Sequence, residues 1–159
     1  MLVNAIGTIR SPFRSPAGTP IQPVYGQGVE GTVEIHEGYE GALADIEGFD
    51  RLWLIYWMDR VAPFSPLVVP YRDRVERGLF ATRSPARPNP LGLSAVRLLE
   101  RRGRTLRIAD LDILDGTLLL DIKPYVPAFD AHPGSRAGWF DEASSGRVVA
   151  DQRFHPPDK

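Results

Sequence analysis

LSAVRLLERRGRTLRIADLDILDGTLLLDI, residues 93–122, points to a β fold, because it carries three strand patterns in close succession. Residues 93–100, 105–113 and 117–122 are rich in aliphatic and β-branched side chains. Asp115-Gly116 separates the last two patterns, and Asp-Gly between apolar runs is the strongest short hairpin signal. We therefore predict consecutive strands here, the last two joined as a hairpin.

Strand patterns also dominate the rest of the chain. They cover residues 3–10, 31–36, 51–58 and 78–82, whereas the one convincing helical stretch is short, around residues 39–46. Many short strands, with 15 Gly and 15 Pro and no alternation with long helices, favour a mainly β fold. We predict an antiparallel barrel with short helices and a long proline-rich loop over residues 62–74, and a doubly wound parallel sheet is disfavoured.

Length and composition restrict the class of protein. The 159 residues fit one domain, and 43% hydrophobic with 25% charged residues is ordinary for a globular chain. The longest apolar-rich run, residues 52–58, is too short to span a bilayer, and the start of the chain lacks a signal-peptide pattern. We expect a cytoplasmic protein without a membrane partner. We place the domain at residues 1–140. Residues 141–159 form a polar C-terminal tail, for which loose packing against the domain is one possibility.

Metal chemistry is not indicated. The chain has no cysteine, and its three histidines, at positions 36, 132 and 155, lack metal-ligand spacing. We therefore expect no metal site.

TRSPARPNPLGLS, residues 82–94, predicts a stiff cationic loop, because prolines fix φ and a core would exclude the arginines. The net charge of the chain is −1, yet residues 72–87 contain five arginines against two acids, a segment charge of +3. Guanidinium groups suit carboxylates and phosphates, so this loop is a candidate binding site. A rigid connector with solvated arginines is the alternative.

A glycine pattern at residues 26–31, GQGVEG, matches the dinucleotide-binding motif G-x-G-x-x-G. That motif needs a strand before it and a helix after it. Here Pro20 and Pro23 precede the glycines and a strand pattern, TVEIH, follows them. We reject a dinucleotide site.

Acidic residues recur in ADLDILDGTLLLDIKPY, residues 109–125. On a strand, Asp110 and Asp112 share one face, where they either meet solvent or line a site. Asp115 at the turn either accepts backbone hydrogen bonds or is functional. Asp121 and Lys123 share a face as well, and either form a weak surface pair or flank a ligand.

Six motifs follow one another in a fixed order. They are residues 6–12 (IGTIRSP), Gln22-Pro23, residues 48–53 (GFDRLW), residues 80–94 (FATRSPARPNPLGLS), residues 112–117 (DILDGT) and residues 121–125 (DIKPY). With this order the chain, from about residue 6 to residue 130, resembles the TsaA-like (TrmO-type) family. The resemblance implies a single-sheeted β-barrel, a homodimer and S-adenosylmethionine as cofactor. It implies methylation of N6 of threonylcarbamoyladenosine beside the anticodon, in threonine-accepting tRNA.

Matched to the family position by position, ten residues are expected at the cofactor: Gln22, Pro23, Asp59, Arg60, Arg83, Leu93, Asp112, Ile113, Leu114 and Asp115. The candidates for RNA contact are Arg72, Arg74, Arg87, Asn89 and Lys123. No catalytic residue is identified, and Tyr125 and Asp121 are the candidates that could orient or deprotonate the reacting nitrogen.

Two features depart from the family pattern. Leu118 stands where a proline usually follows Gly-Thr, and the sequence ends soon after the barrel motifs, whereas longer members carry a further C-terminal domain. We therefore expect that tRNA binding and substrate choice can differ from those of the longer family members. Two other functions stay open: a module that binds S-adenosylmethionine or RNA without catalysis, and a small-molecule methyltransferase with the same cofactor site.

Overall fold

Six strands with alternating inward and outward side chains close into an antiparallel barrel in this computed structural model, which describes residues 2–143 and 146–156. These strands are β1 (Gly7–Arg10), β2 (Glu30–Ile35), β3 (Arg51–Trp57), β6 (Leu91–Arg102), β7 (Thr105–Ala109) and β8 (Thr117–Pro124). Going round the barrel, the order is β1, β2, β7, β6, β3, β8 and back to β1. A separate two-stranded ribbon pairs β4 (Leu67–Val68) with β5 (Arg77–Gly78). The predicted mainly β, antiparallel barrel is confirmed.

The helical segments are short. The α-helix is α1 (Pro127–Asp130), and the 3-10 helices are Pro23–Tyr25, Glu40–Leu43, Ile46–Gly48, Leu79–Ala81, Gly138–Glu142 and Gln152–Phe154. In residues 2–143 and 146–156, none of these is long and apolar enough to cross a membrane.

The core fills the inside of the barrel. Period-two alternation on β3 places Leu52, Leu54 and Tyr56 inward, and Val96 and Ile108 enter from β6 and β7. Burial of each such aliphatic side chain contributes about 1.5–3 kcal/mol, so these residues specify which face of each strand turns inward.

The Asp115-Gly116 hairpin was predicted wrongly. Strand β7 ends at Ala109, and residues 110–116 then cross one end of the barrel, so β8 pairs with β1 and β3 instead of β7. Gly116 does adopt a positive φ of 76°, as a turn requires. The hairpin lies instead between β6 and β7, where Gly103 takes φ 58°.

Two further local predictions need correction. The helical pattern at residues 39–46 forms two 3-10 segments separated by Ala44 and Asp45, and Asp45 has a φ of 65°. Residues 78–82, predicted as a strand, contain the 3-10 helix Leu79–Ala81, and Thr82 Oγ1 donates to the Leu79 carbonyl. Side-chain bonds to the local backbone compete with strand pairing there.

The chain after the barrel returns to the loop between β3 and β6. Phe154 is buried with Val68, Leu79 and Ala86, and its carbonyl accepts a hydrogen bond from the Ala62 amide. Val149 forms an antiparallel bridge with Pro20. The division of the chain at residue 141 stays a prediction.

Candidate functional site

The glycine segment 26–31 packs against the chain that crosses the barrel end. A Cβ on Gly26 would lie 2.0 Å from the Leu111 carbonyl oxygen, and one on Gly31 would lie 2.2 Å from that of Arg10. Gly28 has φ 80°. The glycines therefore allow close backbone approach. The last of them, Gly31, lies in strand β2 where a dinucleotide motif needs the start of a helix, so they do not form that motif.

Asp110 joins this glycine loop to the barrel wall. Its buried carboxylate accepts hydrogen bonds from the Gly28 amide at 2.9 Å, from Arg51 at 3.0 Å and from Arg97 at 3.1 Å. Burial by itself would raise the pKa of Asp110, but these hydrogen bonds and the two guanidinium charges outweigh it and lower the pKa. Asp110 takes φ 67°, so it leaves the strand, and it does not share a strand face with Asp112 as the alternation suggested.

Asp112 ends a hydrogen-bonded chain that begins inside the barrel. Ser94 Oγ donates to Asp112 Oδ1 at 2.6 Å, and the Tyr56 hydroxyl lies 3.0 Å from the same Ser94 oxygen. Burial raises the pKa of Asp112 to about 7, while the Ser94 hydrogen bond and the Arg83 charge limit the rise. The pKa of Tyr56 is also raised, by burial and by the Asp112 charge. A carboxyl at this barrel end thus changes charge near neutral pH.

Two of the expected cofactor residues, Arg83 and Gln22, are in direct contact. Arg83 Nη1 donates to Gln22 Oε1, which joins the cationic loop to the segment before β2. Arg83 also acts electrostatically on Asp112. Gln22, Arg83 and Asp112 therefore form one cluster, called the site cluster below, although they come from three separate loops.

The other residues of the 112–115 motif make structural contacts. The Ile113 side chain is in the core and its carbonyl accepts from Ser11 Oγ, whereas Leu114 is half-buried. The Asp115 carboxylate accepts from the Ser11 amide at 3.1 Å and from Arg14. Asp115 therefore makes the backbone bond that the sequence left open, and the cofactor contacts expected of Ile113, Leu114 and Asp115 stay predictions.

Arg60 attaches the segment after β3 to the same barrel end. Its Nη2 donates to the Asp115 carbonyl at 2.9 Å and to Thr117 Oγ1 at 3.2 Å, and its Nε pairs with Asp59. Pro23 begins a 3-10 helix directly after Gln22, and Leu93 points outward from β6 with 53% of its surface exposed. Pro23, Asp59, Arg60 and Leu93 stay predicted cofactor contacts.

The candidate RNA-binding residues are dispersed. Arg72 donates to the Tyr25 hydroxyl and lies over the Phe140 ring, and Arg87 donates to carbonyls of its own loop. Lys123 pairs with Asp121 at 2.9 Å, the surface pair that alternation suggested. Arg74 and Asn89 are exposed.

Tyr125 and Asp121 lie apart from the site cluster. The Tyr125 ring packs on Trp53 at 5.4 Å, where β3 begins. Asp121 borders a groove of about 210 Å³ at the barrel end opposite residues 110–116, with Ile6 and Leu52 in its wall. Across the part of the chain that the structure describes, no bond or ring contact links either residue to Gln22, Arg83 or Asp112. Their catalytic role stays a prediction.

Sequence reasoning missed Ser94 and Tyr56, and it did not predict the contacts that Asp110 makes with Gly28, Arg51 and Arg97. One signal was present for Ser94: it is the only hydroxyl residue among the aliphatic inward positions of β6.

Among residues 2–143 and 146–156, no three His, Asp or Glu side chains come together in a way that could hold a metal ion.

Comparison with known proteins gives consistent matches. The family model described as the tRNA-methyltransferase O N-terminal domain matches residues 8–131. A probable S-adenosyl-L-methionine-binding protein of Pyrococcus abyssi is 52% identical over 137 residues, covering 86% of this chain and 74% of that protein. A tRNA (adenine(37)-N6)-methyltransferase of Escherichia coli is 33% identical over 154 residues, covering 91% and 66% of the two chains.

Among solved structures, the crystal structure of TrmO from Pseudomonas aeruginosa superposes with a TM-score of 0.77 at 34% identity, over 92% of this chain and 65% of that one. The chain thus spans just under two thirds of the length of the E. coli and P. aeruginosa proteins. The expected family is confirmed by sequence and by structure: the chain belongs to the tRNA-methyltransferase O N-terminal domain family.

Proposed function

We propose that this chain uses S-adenosylmethionine to methylate N6 of threonylcarbamoyladenosine beside the anticodon of threonine-accepting tRNA. The observation that carries the proposal is the site cluster, in which an arginine, a glutamine and a carboxyl of raised pKa meet at one barrel end. The family supports the reaction class, since the E. coli relative is named a tRNA (adenine(37)-N6)-methyltransferase.

The side chains of the site cluster suit this cofactor by charge. Arg83 has five N–H donors and gives one of them to Gln22, so donors remain for the carboxylate of an amino acid. The Asp112 carboxylate receives one side-chain hydrogen bond in the described residues, from Ser94, and keeps acceptor capacity for hydroxyl or cationic groups. S-adenosylmethionine carries a carboxylate, ribose hydroxyls and a sulfonium charge, so it presents partners for both residues.

The bound cofactor supplies an electrophilic methyl group. Transfer of this methyl from sulfur to nitrogen needs no covalent intermediate on the protein. The protein's task is then to hold the acceptor nitrogen in line with the methyl and to exclude water, and positioning of this kind can supply roughly 7–11 kcal/mol. The nitrogen loses one proton as the new C–N bond forms. Asp121 of a second subunit is the proposed acceptor of that proton, and Tyr125 of a second subunit is proposed to orient the nitrogen by a hydrogen bond.

We also propose that the chain works as a homodimer through the outer face of β6, β3 and β8. Leu91 and Leu118 are exposed there on either side of Trp57, and Leu93 is exposed beside Ile55. Adjacent exposed aliphatic and aromatic side chains mark an interaction surface. A second copy of the chain is the proposed occupant, and sedimentation should give twice the 17.7 kDa mass of the chain.

Methyl transfer can be tested with tRNA that carries threonylcarbamoyladenosine. We would incubate the protein with it and S-adenosylmethionine, digest the RNA, and measure by mass spectrometry whether that nucleoside gains one methyl. The same tRNA without the threonylcarbamoyl group is the control, and the proposal requires that it stay unmethylated.

The proposed cytoplasmic location follows from the tRNA substrate.

A binding protein without catalysis is the second candidate function, because the relative from Pyrococcus abyssi is named for binding alone. That function predicts that S-adenosylmethionine binds while no methylated nucleoside appears.

A further inference from the structure

Phe80 is an aromatic side chain held away from the core. Its surface is 79% exposed, although its neighbour Leu79 in the same 3-10 helix is 2% exposed. A phenyl ring loses favourable burial when it stays in water, but single exposed apolar side chains are common on protein surfaces. The support of the Phe80 ring and the charges around it therefore carry the argument.

The helix that carries Phe80 is firmly attached. Thr82 Oγ1 donates to the Leu79 carbonyl at 2.8 Å and accepts from the Ser84 amide at 3.1 Å. Trp139 Nε1 donates to the Ala81 carbonyl at 2.7 Å. These bonds hold the backbone on both sides of Phe80, so the ring is presented on a preorganised support.

Arg87 covers one face of the Phe80 ring. Its guanidinium carbon lies 5.6 Å from the ring centroid, within the range of a cation–π contact. Arg87 Nη1 donates to the carbonyls of Thr82 at 3.0 Å and Ser84 at 3.1 Å, which fixes the cation in place. The ring therefore has one face backed by a positive charge and its remaining surface open.

The surroundings of the ring favour a flat ligand on an anionic chain. Arg83 lies three residues further along and belongs to the site cluster, and residues 72–87 carry an excess of three positive charges. Nucleobases of single-stranded RNA stack on exposed aromatic and arginine planes, while the phosphates are attracted by nearby cations.

We infer that Phe80, backed by Arg87, is the platform on which an unpaired base of the tRNA anticodon loop stacks when the substrate binds. This inference rests on the proposed tRNA substrate. Stacking on such a ring is sequence-tolerant, so Phe80 supplies affinity and places the neighbouring nucleotide near Arg83, while the choice of base is made elsewhere.

The test uses an anticodon stem-loop RNA with the fluorescent base 2-aminopurine in its loop, and the variants Phe80→Leu and Phe80→Trp. Stacking quenches 2-aminopurine, so the unaltered protein should quench it on binding. Phe80→Leu should lose the quenching and bind the RNA about tenfold more weakly, and Phe80→Trp should retain both. The salt dependence of binding should stay the same in all three proteins, since no phosphate contact is removed.

Several outcomes would overturn the inference. If Phe80→Leu quenches and binds like the unaltered protein, the ring is not the platform, while the proposed methylation can still be observed. If Phe80→Leu instead turns a dimer into a monomer in sedimentation, the ring belongs to a contact between subunits. If the unaltered protein does not bind the stem-loop at all and methylates no tRNA, the proposed function itself is refuted.

Discussion

Gly92 and Tyr56 face each other across the β3–β6 pair, and the tyrosine ring occupies the space where a Cβ on Gly92 would lie. That Cβ would be 2.0 Å from Cε2 of Tyr56. The ring position in turn sets the hydroxyl 3.0 Å from Ser94, which donates to Asp112. One glycine in the barrel wall thus positions a carboxyl at the proposed cofactor site.

Gly92→Ala should therefore destabilise the protein by roughly 1–3 kcal/mol, because the ring must shift within a packed core. Urea unfolding followed by circular dichroism measures this. Gly41→Ala is the matched control, since its Cβ would meet nothing within 4 Å, and it should leave the free energy of unfolding nearly unchanged. Equal effects of the two substitutions would contradict the packing described here.

Asp112→Asn should stabilise the protein at alkaline pH. The folded-state pKa of about 7 lies above the usual value for an aspartate, so between about pH 4 and pH 7 the folded state binds more protons and stability falls as pH rises. Asparagine removes this effect. Thermal melts should show a melting temperature several degrees above that of the unaltered protein at pH 8, since roughly 2–4 °C corresponds to 1 kcal/mol in a domain of this size.

At pH 4, near the usual pKa of an aspartate, the two melting temperatures should lie close together. A difference that is the same at pH 4 and pH 8 would show that Asp112 does not titrate between them. If it does titrate, Asp112 lowers the stability of the fold while it serves the binding site, a compromise that is common at functional sites.

Asp110→Asn should destabilise the protein, the opposite of the effect expected for Asp112→Asn. The pKa of Asp110 is lowered, so its carboxylate stabilises the fold above the usual aspartate pKa near 3.9, and this contribution is lost as pH falls through the lower folded value. Loss of the charged hydrogen bonds from Arg51 and Arg97 should cost about 1.5–3 kcal/mol at pH 7.

Asp45→Asn is the control for Asp110→Asn, because Asp45 also holds a positive φ, 65°, but caps no helix with its side chain. Denaturant unfolding at pH 7 should separate the two variants. If both lose the same stability, the backbone conformation and not the ion pairs explains the effect.

Lys123→Ala should barely change stability, since the Lys123–Asp121 pair is mostly exposed on both sides and such pairs contribute little. If Lys123 contacts RNA as predicted, the variant should bind tRNA more weakly and with a smaller salt dependence. Filter binding at two salt concentrations measures both quantities, and unchanged affinity would remove Lys123 from the RNA-binding candidates.

Much of the barrel is predictable because burial imposes a period-two pattern along each strand. Residues 32–36 (TVEIH) show it, and in β2 the side chains of Val33 and Ile35 are buried while Glu34 between them is exposed. Strand pairing was less predictable, since Asp115-Gly116 describes only a local turn and does not determine that β8 pairs with β1 and β3. The identity of a strand's neighbours depends on the whole closed sheet.

The site was predictable where its residues stand in motifs and unpredictable where it depends on contacts through space. Arg83 and Gln22 were expected at one site and are in contact, 61 positions apart. Tyr56 carries no motif, and its link to Ser94 spans 38 positions across the barrel interior. The left-handed conformation of Asp110 was equally hidden, because it arises from its bonds to Gly28, Arg51 and Arg97.

Calorimetric titration of S-adenosylmethionine into the unaltered protein, Arg83→Ala and Arg104→Ala measures whether the cofactor binds at the site cluster. Arg104 is the matched control, an exposed arginine at the other barrel end whose pair with Glu40 is 3.5 Å long. We expect the unaltered protein and Arg104→Ala to bind the cofactor equally, and Arg83→Ala to bind it at least tenfold more weakly, in line with the loss of a charged hydrogen bond. Equal affinity of all three proteins would contradict the assignment of the cofactor to the cluster of Gln22, Arg83 and Asp112.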